Sequence, residues 1–436
     1  MEPGIEERRS ARLVMSNGEI LHGKLIGASV KSRGELVFTT SLVGYSESLS
    51  DPSYFAQILV YAYPLIGNYG VPQVRLHKNP LLRLGHESVK VHVAGVIVTV
   101  DSPEAFHWNS FVSLGQWLEK EGIPGMACVD TRHLIHQIRE HGPLYGRIEP
   151  QGVSEERTYL GMSFGENDFF DASLYPILGE VSTKKPYTLL PHNYTSLDHV
   201  VTLKSRESSR KPSIANHNED IGKRKSVACN LKQIDEAREG AEKGIGAEKK
   251  EGIKVAVVDC GVKSNILRAL LSFGCEVEVL PWDSDLSQID CHGWVLSNGP
   301  GDPMRACALI ENVRHLLRGN RPILGICLGH QILGIAAGMT SERMRYGHRS
   351  HNQPVYLEGT SRGFITSQNH GFHLVEGMHW PDDWRVWFRN ANDQSIEGII
   401  HLRQPFRSVQ FHPEACGGPR DTLWIIEDFV KELTSF

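Results

Sequence analysis

The chain has 436 residues and a net charge of −5, and 40% of its residues are hydrophobic. That length allows two or three domains, each with its own core. No apolar run approaches 18 residues and the first nine residues lack an apolar core, so we expect neither a membrane span nor a secretory signal. The acidic balance, without a basic binding motif, gives no reason to expect nucleic-acid binding. Eight cysteines without C-x-x-C pairs indicate a reducing compartment, which we take to be the cytoplasm.

The first part of the chain, residues 10–202, is predicted to be a small β-rich α+β domain. Its clearest β-rich runs are residues 36–38 and 91–98, separated by Gly/Pro turns. One helix is predicted at residues 114–120. After this domain, residues 203–252 contain no aromatic side chain and are rich in charged residues, Ser and Gly. Such a segment cannot bury enough apolar surface to offset its ordering entropy, so we predict a flexible linker.

The last part of the chain, residues 253–436, alternates strands with helices. Strands are predicted at residues 254–258, 276–280, 295–296 and 323–326, and helices at 263–273 and 306–317. This alternation predicts an α/β domain with a mostly parallel sheet covered on both faces. Sites in such sheets lie at the carboxyl ends of the strands.

A cysteine flanked by glycines follows one of these strands, in the sequence Gly325-Ile-Cys327-Leu-Gly329. Glycines at these positions permit a sharp strand-to-helix turn that presents the sulfur, as in the serine nucleophile elbow. A helix N-terminus favours the nucleophilic thiolate. The alternative interpretation is a buried structural cysteine beside a tight turn.

His412 and Glu414 stand two residues apart near the C-terminus, with Pro413 between them. If the chain is extended there, both side chains point the same way, and Glu414 can orient His412. His412 can then take the proton of Cys327, which gives a Cys-His-carboxylate arrangement. In isolation, a His-x-Glu sequence is more often a surface pair.

A Gly/Pro-rich loop at residues 297–303 follows the strand that ends near residue 296. Its glycines allow backbone N–H groups to approach a substrate, and we predict that the N–H groups of Gly299 and Leu328 form an oxyanion hole. The alternative is an ordinary turn.

Together these three motifs resemble the class I, triad-type glutamine amidotransferases. Residues 39–45, 51–54, 63–70 and 129–132 resemble the N-terminal domain of the carbamoyl-phosphate synthetase small subunit, which other amidotransferases of this class lack. The match spans roughly residues 10–200 and 253–430. Residues 57–60 and 408–411 look closer to the eukaryotic pyrimidine-pathway type than to the bacterial type.

The resemblance implies a glutaminase that delivers ammonia to a carbamoyl-phosphate synthetase large subunit or fused synthetase domain. The catalytic residues would be Cys327, His412 and Glu414. The resemblance assigns L-glutamine binding to Ser53, Gly301, Leu328, Gln331, Asn369, Gly371 and Phe372. Together with Gly299, these are the eight predicted glutamine-binding residues. We expect no cofactor, because the chain has no phosphate-binding glycine signature and the partner carries the ATP chemistry. Two alternatives are a non-catalytic activating subunit and another class I amidotransferase.

Four histidines, His348, His351, His370 and His373, lie within about 25 residues. A metal site is one interpretation. We favour the other, in which these side chains surround a substrate loop, and we predict no metal.

Overall fold

Seven strands close into a barrel in the computed structural model, which describes residues 8–73, 75–76, 82–191, 252–377 and 380–435. In order around the barrel they are β1 (Ser10–Met15), β13 (Leu144–Pro150), β3 (Ser32–Thr39), β4 (Gln57–Tyr61), β9 (Gly95–Ile97), β12 (Pro124–Ala127) and β2 (Ile20–Gly27). The inner face is apolar and includes Leu13, Ile58 and Ile148, none of them exposed. Closure leaves no unpaired strand edge.

Short elements surround the barrel. The paired short strands are β5 (Leu65–Ile66) with β10 (Val100–Asp101), β6 (Val71–Pro72) with β11 (Ser110–Val112), and β7 (Arg75–Leu76) with β8 (Arg83–Leu84). The α-helices are α1 (Tyr45–Ser50), α2 (Leu114–Lys120), α3 (Thr131–His141) and α4 (Leu178–Val181). Helix α2 begins with a capping box between Ser113 and Gln116, which satisfies two free backbone N–H groups.

A ten-stranded sheet forms the second half of the fold. Its strands, in spatial order, are β14 (Tyr187–Leu189), β16 (Glu276–Pro281), β15 (Lys254–Asp259), β17 (Gly293–Leu296), β18 (Ile323–Ile326), β23 (Phe406–Val409), β22 (Ile396–His401), β21 (Trp384–Asn390), β19 (Thr340–Leu357) and β20 (Gly363–Val375). The five strands from β16 to β23 are mutually parallel. The α/β prediction is therefore confirmed. The other strands extend this parallel centre with antiparallel pairs on both sides.

Helices cover both faces of the parallel centre. They are α5 (Ser264–Ser272), α6 (Cys307–Leu316), α7 (Leu328–Ala336) and α8 (Trp424–Leu433). Side chains of α5 and α8 pack with Val255 and Val257 of β15, whereas those of α6 and α7 pack with Ala256 and Val258 of the same strand. Because successive strand residues point to opposite faces, this split places the two helix pairs on opposite sides of the sheet.

The long antiparallel pair β19–β20 touches the barrel. Thr40 donates its N–H to the Arg349 carbonyl at 3.3 Å, and Arg343 forms an ion pair with Glu35 at 2.9 Å. Arg343 also pairs with Asp171 at 3.1 Å. These contacts hold one wall of the barrel against the sheet region that carries the candidate site.

Some predictions need adjustment. Of the β-rich run 91–98, only Gly95–Ile97 is a strand. Tyr187–Leu189, which falls in the first predicted domain, pairs with Glu276–Pro281 of the second sheet. The domain boundaries stay a proposal, and the predicted linker lies outside the described residues. Within the part of the chain that the structure describes, no helix is long and apolar enough to cross a membrane.

Candidate active site

Cys327 occupies the turn between β18 and α7, with φ 55° and ψ −104°. A residue with a side chain is strained at a positive φ, and such strain is often found at functional sites. Two glycines make the turn possible. A Cβ at Gly329 would overlap the carbonyl oxygen of Leu296 on the neighbouring strand, and one at Gly325 would lie 2.6 Å from the Gly329 carbonyl oxygen. The backbone thus has the geometry expected of a nucleophile elbow.

The His412 ring lies against the Glu414 carboxylate. Nδ1 of His412 is 2.7 Å from Oε1 of Glu414, and both side chains are almost fully buried. The predicted extended backbone is wrong, because Pro413 and Glu414 lie in a turn. The two side chains nevertheless meet within this turn. The turn begins at His412, whose N–H donates to the Ser367 carbonyl at 2.9 Å.

The protonation state of His412 follows from its neighbours. Burial and the Lys263 ammonium lower its pKa, but Glu414 and the nearby Cys327 sulfur outweigh them and raise it to about 10. Burial raises the pKa of Glu414, but His412 and Lys263 lower it to about 2. The pair is therefore an imidazolium beside a carboxylate near neutral pH. Nε2 of His412 makes no hydrogen bond of standard geometry with the described residues, so it is available to donate a proton.

Lys263 is a buried cation that sequence reasoning did not assign to the site. Its Nζ lies 3.3 Å from Oε1 of Glu414. Burial lowers the pKa of Lys263, but Glu87, Glu414 and Asp51 outweigh that effect and raise it above the usual value. Glu414 therefore bridges two positive groups, which holds it ionised and fixes its orientation.

The candidate oxyanion donors come from two neighbouring strand ends. Leu328 is the first residue of α7, where a backbone N–H has no acceptor inside the helix. Gly299 follows β17, and a Cβ there would overlap the Cys260 carbonyl oxygen. Gly301 has φ 91°, a conformation that favours glycine. The loop thus depends on its glycines for its shape.

Seven of the eight predicted glutamine-binding residues line one cleft with Cys327. They are Ser53, Gly299, Gly301, Gln331, Asn369, Gly371 and Phe372. The eighth, Leu328, has a buried side chain packed in the core beneath α7, so only its backbone N–H is a candidate donor. Residues of the barrel, including Glu35 and Gln57, line the same cleft. The cleft therefore draws its walls from both halves of the fold.

Ser53 reaches the second half of the fold through Asn298. The Asn298 amide donates to the Ser53 hydroxyl oxygen at 2.9 Å. The Ser53 N–H donates to Asp51, whose other carboxylate oxygen accepts from Asn369 at 3.1 Å. Gln331 is fixed separately, because its amide donates to the Phe372 carbonyl at 2.8 Å. These bonds preset the positions of cleft residues from both halves.

Of the four clustered histidines, two can approach a common ion. His348, His370 and Glu397 offer ligand atoms within 4.8 Å of one another. However, the two ring nitrogens of His348 lie 2.9 Å from Asp393 and 3.3 Å from Glu397. Burial lowers the pKa of His348, but these two carboxylates raise it to about 9. Both ring nitrogens of His348 are thus already engaged by carboxylates, and we interpret the cluster as an ion-pair network of His348, Asp393 and Glu397.

Sequence reasoning missed four buried polar residues of the site: Asp51, Lys263, Asn298 and Arg349. Asp51 and Asn298 lie in motifs that the sequence made visible, residues 51–54 and 297–303, and Lys263 begins the predicted helix 263–273. Arg349 carried no sequence signal, because nothing in its local pattern distinguishes a buried arginine from an exposed one.

Two family profiles match the chain. Glutamine amidotransferase class-I matches residues 256–432, and Carbamoyl-phosphate synthase small chain, CPSase domain, matches residues 13–148. The Carbamoyl phosphate synthase arginine-specific small chain of Neosartorya fischeri is 38% identical over 98% of this chain and 80% of its own length.

A longer relative and a solved structure are also similar. The Multifunctional protein CAD of Squalus acanthias is 38% identical over 97% of this chain, which spans only 16% of that relative's length. A solved glutamine amidotransferase from Thermotoga maritima, 19% identical, covers 42% of this chain and 84% of its own, with a TM-score of 0.32.

Proposed function

The chain belongs to the carbamoyl phosphate synthase small-chain family, and on that premise we propose that it hydrolyses L-glutamine with Cys327, His412 and Glu414. The observation that carries the proposal is the common cleft. Cys327, strained and at a helix N-terminus, lines it with seven residues predicted to bind glutamine, and its sulfur is near enough to the buried His412–Glu414 pair to raise the pKa of His412. A non-catalytic activating subunit would not require a nucleophile, a buried His-Glu pair and a substrate cleft in one place.

The first half of the reaction forms a thioester. The Cys327 thiolate attacks the carboxamide carbon of glutamine, and the carbonyl oxygen gains the electron pair as a tetrahedral oxyanion. The N–H groups of Leu328 and Gly299 stabilise that charge, and losing one such donor typically costs about 3 kcal/mol of barrier. His412 then gives its Nε2 proton to the departing nitrogen. Ammonia leaves and a γ-glutamyl thioester remains on Cys327.

The second half restores the enzyme. His412, now neutral, takes a proton from water, and the resulting hydroxide attacks the thioester carbon. The carbon–sulfur bond breaks, glutamate leaves, and the site returns to thiolate and imidazolium. Throughout, Glu414 accepts from Nδ1 of His412 and stabilises the imidazolium, while Lys263 holds the carboxylate in place.

The ammonia is proposed to pass to a carbamoyl-phosphate synthetase large subunit or fused synthetase domain. The N-terminal barrel supports this assignment, because residues 13–148 match the small-chain CPSase domain, so the chain has more than an amidotransferase module. The chain itself is proposed to supply ammonia and no phosphate chemistry.

To test the function, the protein is mixed with glutamine, alone and with a carbamoyl-phosphate synthetase. Glutamate should form, and an acid quench should trap a γ-glutamyl adduct on the peptide that contains Cys327. Asparagine, one methylene shorter, is the matched control and should give neither product. Absence of both glutamate and adduct in the presence of the synthetase would contradict the proposal.

We further propose that the pathway is de novo pyrimidine synthesis, in the cytoplasm. The resemblance of residues 57–60 and 408–411 to the pyrimidine type supports the pathway, and seven unpaired cysteines in the described part support a reducing compartment. The two named relatives, of equal identity, do not decide between the pathways. Deleting the gene should create a uracil requirement, whereas a requirement for arginine alone would contradict the pathway.

A further inference from the structure

Arg349 is a buried cation in the wall of the candidate cleft. It is 6% exposed and lines the cleft together with Cys327 and Gln331. One guanidinium nitrogen, Nη1, donates to the Tyr346 carbonyl at 2.7 Å. Its Nε is buried without a partner. Among the residues that the structure describes, no carboxylate forms an ion pair with Arg349, and Glu35, which attracts it from farther away, is already paired with Arg343.

The other two arginines of the cleft are in a different situation. Arg343 is neutralised by Glu35 and Asp171, at 2.9 and 3.1 Å. Arg345 is exposed to solvent and donates to the Glu140 carbonyl. A buried charge without a partner is costly, and burial indeed lowers the pKa of Arg349 from its usual value. Such a residue is suited to an anion that arrives with the substrate.

The Arg349 side chain lines the same cleft as Cys327, close enough for the two groups to interact electrostatically. Arg349 pairs with Asn369 in the β19–β20 register, and the Asn369 carbonyl oxygen is 3.5 Å from the Cys327 sulfur. A Cβ at Gly371 would lie 3.1 Å from Nη2 of Arg349, so a side chain at this position would crowd the guanidinium. In glutamine the α-carboxylate carbon is about 5 Å from the carboxamide carbon, by ordinary bond lengths. A substrate with its amide at the sulfur therefore places its carboxylate within reach of this wall.

We propose that Arg349 binds the α-carboxylate of glutamine and thereby selects free glutamine over glutamine whose carboxyl is blocked. This inference rests on the proposed glutaminase function. It identifies the residue that binds the end of glutamine opposite the reacting carboxamide. The planar guanidinium can donate two parallel hydrogen bonds to a carboxylate, an arrangement that lysine cannot reproduce. Binding the substrate would also neutralise the buried charge.

The test compares L-glutamine with its α-amide, which keeps the reacting carboxamide but lacks the carboxylate. In the wild type, kcat/KM for glutamine should exceed that for the α-amide by roughly 10- to 150-fold, the range expected for a hydrogen bond to a charged group. Arg349→Met should lose activity on glutamine selectively, so that the ratio falls toward one, and Arg349→Lys should give an intermediate ratio. Arg345→Met removes a charge from the same cleft and should keep the wild-type ratio.

Two results would overturn the inference: a wild type that does not discriminate, or an Arg349→Met variant that loses both substrates equally. If Arg349→Met does not fold, the wild-type and Arg349→Lys ratios decide. Calorimetric titration of the Cys327→Ser variant with the two ligands separates this inference from the proposed function. Discrimination in binding without turnover in the wild type would uphold the carboxylate site and contradict hydrolysis.

Discussion

Replacing Cys327 by alanine is expected to lower glutamine-dependent turnover by roughly 10⁴- to 10⁶-fold, the loss seen when the nucleophile of a catalytic triad is removed. The reason is chemical, because without the sulfur no thioester forms and water must attack the carboxamide directly. The substitution removes only the sulfur and does not require the backbone, with its φ of 55°, to change. The fold should therefore persist. Synthesis of carbamoyl phosphate from added ammonia by the complex with a synthetase should continue.

Parallel assays of glutamine-dependent and ammonia-dependent synthesis measure this difference. Cys307→Ala is the matched control, because Cys307 also begins a helix but is exposed and lies outside the cleft. It should keep both activities. If Cys327→Ala lost the two activities in equal measure, Cys327 would have a structural role instead.

Local signals in the sequence were sufficient for the parallel centre of the sheet and for the cysteine turn. Strands and helices that alternate at short range leave a clear pattern, and the predicted Ile323–Ile326 strand agrees with the structure. The turn was visible because two glycines flank Cys327, and the structure shows that a side chain at either would overlap backbone atoms. In both cases residues close in sequence determine the geometry.

The β19–β20 pair was not predicted, because its burial depends on distant partners. Strand β19 carries many polar side chains, and two register shifts interrupt its pairing, so no alternation with a period of two is visible. Its polar residues are buried only because β20 and the barrel wall cover them. Arg349 and the Asn298–Ser53 hydrogen bond could not be predicted for the same reason, because they depend on contacts between distant parts of the chain. Asn298 and Ser53 are 245 positions apart. The predicted contact between His412 and Glu414 is present, although the predicted extended backbone is not. Side chains two residues apart can meet in a turn as well as in a strand.

Replacing Glu414 by glutamine is expected to lower kcat by roughly 10²- to 10⁴-fold, because the imidazolium loses its stabilising charge while the ring keeps a hydrogen-bond partner. Stability should fall as well. Glu414 bridges His412 and Lys263, and breaking a buried pair by removing one partner costs about 3–5 kcal/mol. Glu397→Gln, which removes another buried carboxylate beside a histidine, is the matched control and should lose stability while retaining most of its turnover.

The pH dependence of that stability loss has a definite sign. The pKa of Glu414 is lowered to about 2, so its contribution is present above the ordinary value of 4.5 and is lost as pH falls through 2. The pKa of His412 is raised to about 10, so its contribution is complete below 6.5 and is lost as pH rises through 10. Urea unfolding should therefore show the largest difference between wild type and Glu414→Gln between pH 4.5 and 6.5, and a smaller one near pH 9.5. A difference that is constant across this range would mean that His412 is not held as an imidazolium by Glu414.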